Sequence, residues 1–155
     1  MMKKIIPIII LATALLCGCS DRIKINTPFF VSVKSESGAE STHVLSTANN
    51  LVLQYPVNLV CTERSEDVLI TFEVVPGNGL KEGVDYTLPA SRTLTFSKGE
   101  YLKYIRINYL NHVVDKTKDN TVVIRLVSSS DPDIVIGYPG PSKKFSTHTI
   151  TKIND

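Results

Sequence analysis

The sequence predicts an all-β protein in which two sheets pack face to face, and three observations carry that expectation. Apolar residues recur at every second position through several short runs, turn-forming clusters separate the runs, and no apolar 3,4 repeat persists long enough to make an amphipathic helix. In Leu51 to Cys61 the odd positions are Leu51, Leu53, Tyr55, Val57, Leu59 and Cys61, an apolar face set against Gln54, Pro56 and Asn58. Asp67 to Val75 repeats the device with Val68, Ile70, Phe72 and Val74. Thr93 to Ser97 offers Leu94 and Phe96, and Thr121 to Ser128 offers Val122, Ile124 and Leu126. Each pattern suits a strand with one face buried.

Strands are expected at 29–34, 51–61, 67–75, 92–97, 101–110, 121–128, 133–136 and 145–153. The segment from Gly38 to Asn50, rich in Ser, Thr and Asn, reads as a long loop or a short strand. Turns fall at Pro76-Gly77-Asn78-Gly79, read as a hairpin, and at Lys98-Gly99-Glu100, 116–120, 128–132 and 138–142. Seven to eight strands without crossover helices make an immunoglobulin-like antiparallel β-sandwich the expected architecture.

The N-terminus stands apart from this pattern. Lys3 and Lys4 precede an apolar stretch from Ile5 to Leu16, shorter than the about 20 residues a spanning helix requires. Leu16-Cys17-Gly18-Cys19 resembles the lipobox of bacterial lipoproteins, which implies cleavage between Gly18 and Cys19 and a diacylglycerol thioether on the Cys19 sulfur. Cys17 does not fit, because Leu16 would then fill the position where the peptidase requires a small residue. Two or three acyl chains make a durable anchor where one does not. Ser20 after the lipidated cysteine implies outer-membrane sorting by the rule of enteric bacteria, with the periplasmic or surface face left open. The expected organisation is a signal peptide over 1–18, a lipidated cysteine and tether over 19–28, and one sandwich domain over 29–155.

Of the 3 cysteines, Cys61 alone would keep its thiol, so the domain must hold by its core without an intrachain disulfide. The 17 basic residues include Lys3 and Lys4, whose loss leaves the mature chain near electrical balance against 15 acidic residues. No basic cluster beyond Lys143-Lys144 remains, which excludes a nucleic-acid partner.

Residues 83–111, "GVDYTLPASRTLTFSKGEYLKYIRINYLN", resemble the middle of a Calx-beta domain: Asp85-Tyr86 ahead of a strand, an aliphatic-x-Phe strand, a Gly-Glu turn, then alternating aliphatics. "NTVVIRLVSSS", "IGYPG" and "STHTITKIND" continue the likeness, which covers about residues 67–155. The resemblance implies the Calx-beta form of the sandwich. It also implies a place among the lipoproteins encoded beside glycan-uptake systems of Gram-negative gut bacteria. Calcium takes six to eight oxygens, usually several carboxylates from loops at one end. Where the family has Asp-Asp followed by Glu, this chain has Asn111-His112-Val113-Val114-Asp115, and the terminal acidic cluster is reduced to Asp155. No metal or other cofactor is therefore expected. Asp85, Asp115 and Asp155 are the residual candidates, with Asp85 and the pair Asp131 and Asp133 read more simply as turn residues.

An enzyme is not expected either. His43, His112 and His148 lie in separate segments, His148 reads as a surface residue, and Cys61 reads as a small hydrophobe packed inward. Nucleophile-elbow, phosphate-loop and paired-carboxylate motifs are absent. Binding has one candidate. In "YLKYIRINY", alternation puts Tyr101 and Tyr109 with Ile105 and Ile107, so that Tyr104 and Arg106 face solvent. There a ring can stack on a sugar and a guanidinium can bond its hydroxyls. The expected function is a lipid-anchored, non-enzymatic interaction module at the outer membrane, contributing to polysaccharide binding and uptake. The alternative is a spacer or scaffold that docks to an outer-membrane protein assembly and binds no ligand of its own.

Overall fold

A computed structural model describes residues 28–155. The expected signal peptide, with cleavage at Gly18 and lipidation at Cys19, lies outside the described residues. Ten strands follow in chain order: β1 (Phe30–Val33), β2 (Ser41–Leu45), β3 (Leu51–Val60), β4 (Val68–Pro76), β5 (Tyr86–Thr87), β6 (Thr93–Phe96), β7 (Leu102–Tyr109), β8 (Thr121–Ser129), β9 (Val135–Ile136) and β10 (Thr147–Ile153). They form two five-stranded sheets, ordered β5-β7-β3-β1-β9 and β2-β10-β8-β4-β6.

The period-two pattern is what drives the packing. Val31, Val33, Tyr55, Val57, Leu59, Ile105, Ile107 and Tyr109 face inward from the first sheet. Val44, Val68, Ile70, Phe72, Val122, Ile124, Leu126 and Ile150 face inward from the second, and all are buried in one core. The face of β3 is less uniform than its sequence suggests: Leu51 is exposed at the strand's start and burial begins at Leu53. Cys61 falls just past β3, half-buried against the core, and burial raises its thiol pKa.

The sheets are antiparallel except at two places. β1 pairs with β9 in parallel, and β2 pairs with β10 in parallel, with Ile150 beside Thr42 and Lys152 beside Val44. The first strand of the sandwich is thus split: β1 serves one sheet, the chain crosses at Lys34–Glu40, and β2 serves the other. This split, with the two-residue strand β5, raises the strand count from the expected seven or eight to ten. Pro56 fits within β3 because β1 ends beside it. Its carbonyl accepts from the Lys34 amide at 3.3 Å, so its missing N–H falls at the end of the β1 ladder.

Gly77-Asn78-Gly79 is not a hairpin turn, since it leads from β4 in one sheet to β5 in the other. Its glycines answer a close approach: a side chain at Gly77 would collide with the Asp119 carbonyl, and one at Gly79 with the Asn120 amide. That contact locks the β7–β8 loop (110–120) against the β4–β5 loop. Both lie at the end of the sandwich opposite Phe30, which pairs with Val60.

Candidate functional site

A charged cluster sits at that end, opposite the start of the domain. Asp85, the residue before β5, is 2% exposed, and Lys152, on the inner face of β10, is 1% exposed. The Lys152 ammonium lies 3.2 Å from Asp85 Oδ1 and donates to the Leu110 carbonyl at 2.8 Å. His112, from the β7–β8 loop, places Nδ1 2.8 Å from the same Asp85 oxygen, while Asp85 Oδ2 accepts from the Lys81 amide at 2.9 Å. Burial by itself raises the pKa of the Asp85 carboxyl. The Lys81 amide, His112 and Lys152 together outweigh it and hold the group below its ordinary value.

Three segments far apart in sequence therefore meet on one carboxylate. The turn-residue reading of Asp85 survives in its bond to the Lys81 amide but accounts for only one of its two oxygens. Lys152 had no role in the sequence reading. Its signal was present, because alternation from Ile150 puts His148 and Lys152 on the core face.

The surface reading of His148 is overturned: the ring is fully buried. Nε2 bonds the Thr42 hydroxyl at 2.5 Å, and the ring centroid lies 5.0 Å from that of Tyr55. Burial pushes the pKa down to about 4, and Nδ1 has no partner of hydrogen-bonding geometry. Tyr55 in turn shares a hydroxyl–hydroxyl bond of 2.9 Å with Tyr109, and burial raises both phenols. A polar seam thus runs through an otherwise apolar core, from Thr42 and His148 past Tyr55 and Tyr109 toward the Asp85 cluster.

The residual metal candidates do not converge. Asp85 is committed to Lys152 and His112. Asp115 bonds the amide and hydroxyl of Thr117 in its own turn, which lowers its pKa. Asp155 is an exposed terminal residue. Among the described residues no group of three or more His, Cys, Asp or Glu is arranged to hold a metal ion. Asp131 caps the Asp133 amide and pairs with Arg64 at 3.0 Å, while Arg64 lies 4.6 Å over the Phe29 ring.

Tyr104 and Arg106 point outward from β7, as alternation requires, while Ile105, Ile107 and Tyr109 are buried. Tyr101 precedes the strand and is exposed, so it does not share their face in the core. Tyr104 is 40% exposed and lies across from Pro56, while Arg106 lies across from Gln54 and Leu102 across from Asn58. The outer surface of these two strands therefore presents a tyrosine ring flanked by the Arg106 guanidinium and the Gln54 amide, while the Asn58 amide nitrogen is buried.

No family model matches the chain, and no curated protein does. Solved structures do share the fold. CBD12 from CALX1.2 is 16% identical with a TM-score of 0.56, covering 82% of this chain and 44% of that one. The calcium binding domain CBD12 of CALX1.1 is 17% identical with a TM-score of 0.50, covering 74% and 42%. A protein of unknown function from Bacteroides ovatus is 14% identical with a TM-score of 0.56, covering 81% and 47%. The chain spans less than half the length of each. The class is thereby set: a β-sandwich of Calx-beta-like fold.

Proposed function

We propose that the protein is a lipid-anchored, non-enzymatic binding module of the outer membrane that captures polysaccharide on the outer face of β3 and β7. The observation that carries this reading is the Tyr104 ring, exposed across from Pro56 and bordered by Arg106 and Gln54. Sugars are recognised by such pairings of an aromatic face with planar hydrogen-bonding groups, because one side of a sugar ring is apolar and its rim carries hydroxyls. Affinity electrophoresis through gels containing neutral polysaccharides tests it. Mobility is expected to fall in at least one gel, and Tyr104→Ala should restore it. Unchanged mobility across the panel refutes the reading.

A scaffold role has one observation in its favour. Ser41 and His43 of β2 turn their backbone groups away from β10, and among the described residues no strand pairs with that edge. The opposite edge, β6, is blunted instead: the Ser91 hydroxyl bonds both the amide and the carbonyl of Thr93, and Glu100 takes the Ser97 amide. A scaffold predicts co-purification with a membrane protein and no glycan retention.

A further inference from the structure

Where β1 stops, the sheet has a gap. β1 pairs with β3 only from Val57 to Val60, and the Lys34 bond to Pro56 extends this by one step. Before Pro56 no strand covers β3 on that side, and no turn bond reaches Val52 or Gln54 among the described residues. The register that turns Asn58 and Val60 toward β1 turns the N–H and C=O of Val52 and Gln54 the same way. The gap opens into a slot of about 350 Å³ lined by Ser35, Glu36, Ser37, Thr42 and Val52 through Tyr55. Val52 and Gln54 face outward while Leu53 and Tyr55 face inward, so a cavity touching all four must lie on the strand's edge.

The chemistry of the lining selects its occupant. It offers hydroxyls, a carboxamide, one carboxylate and unpaired main-chain donors and acceptors, beside the apolar side chains of Val52 and Leu53. No cation is among the lining residues, which disfavours an anionic ligand. The free ladder groups come from Val52 and Gln54, and strand addition by a peptide is the competing occupant that the test below separates. A small uncharged polyol ring fits both the volume and the donors. Gln54 also joins the slot to the outer face, since it stands directly across from Arg106, which neighbours Tyr104 along β7.

We propose that the slot is a second saccharide subsite that takes one ring of a neutral glycan chain while Tyr104 stacks on another. This rests on the polysaccharide reading above, and the test separates the two. Titration calorimetry of the full protein is run with neutral gluco-, manno- and xylo-oligosaccharides of increasing length, against Tyr104→Ala, Glu36→Gln and Ser37→Trp. The last variant fills the slot from an exposed turn position. Affinity for the bound series should rise with chain length, and Ser37→Trp should cost the longer chains at least tenfold while leaving the shortest bound ligand unchanged. Glu36→Gln should weaken the longer chains severalfold. Binding that Tyr104→Ala removes but neither slot variant alters overturns the subsite and leaves the outer-face reading intact. Binding that only the slot variants alter supports the subsite and refutes the role of Tyr104. Absence of binding by every series, with Ser37→Trp instead blocking association with a membrane protein, overturns both in favour of strand addition.

Discussion

Replacing Lys152 by Met removes the ammonium from a site that is 1% exposed while preserving most of the side-chain volume. What remains is the Asp85 carboxylate, 2% exposed, with His112 and one amide as partners, and a Leu110 carbonyl without its donor. At 3.2 Å and an effective dielectric near 20, the lost attraction is about 5 kcal/mol. Removing one partner of a buried pair typically costs about 3–5 kcal/mol, so the two estimates agree. Spread over a urea dependence of about 1–3 kcal/mol per molar, this moves the unfolding midpoint down by about 2 M.

The informative comparison is the double variant Lys152→Met with Asp85→Asn. It retains an acceptor for the Lys81 amide and leaves no buried charge, so most of the lost stability should return. A coupling of at least about 2 kcal/mol between the two positions is expected from urea unfolding followed by circular dichroism. Purely additive losses would show that the pair contributes no mutual stabilisation and would refute the reasoning.

Three further outcomes follow from the seam, the charged cluster and the anchor. The folded pKa of His148, about 4, lies below its ordinary 6.5, so the unfolded chain binds the proton first. Its contribution is fully present above 6.5 and is lost as pH falls toward 4, a loss of about 3 kcal/mol that His148→Gln should remove from stability measured across that window. The depressed carboxyl of Asp85 adds a second loss only below its ordinary value of 3.8, as pH falls through the lower folded value, and this one should persist in His148→Gln. Cys19→Ser should abolish incorporation of labelled palmitate and release the protein from the membrane fraction; labelling that persists would place the lipid elsewhere.

The long strands were legible because each buries one face, and alternation alone fixes which. β3, β4, β7 and β8 fall within a residue or so of their expected bounds for that reason. β2 was left open between a loop and a short strand, because four of its five residues, Ser41, Thr42, His43 and Leu45, are left partly or wholly exposed at a sheet edge. Only Val44 reports a core, and one residue has no period. Tyr104 and Arg106 followed from the alternation of β7, since Ile105 and Ile107 had to be inside. The ionic cluster did not follow, because a lysine on the core face of a strand contradicts the usual cost of burying charge. That cost is met by partners from residues 81–85 and 110–112, whose approach only the folded chain reveals.

The arrangement of the ends gives the anchor a geometric consequence. Phe30 lies at the same end as the loops 61–67 and 97–101, while Asp85, His112 and Lys152 lie at the other. A chain of n residues spans at most about 3.3–3.6 Å × n, so a lipid on Cys19 would hold the Phe30 end within about 40 Å of the bilayer. The outer face of β3 and β7 runs between the two ends, parallel to the strands, and the slot opens from the half nearer Asp85. β1 stops at Val33 and so leaves the gap in the half of β3 farther from Phe30.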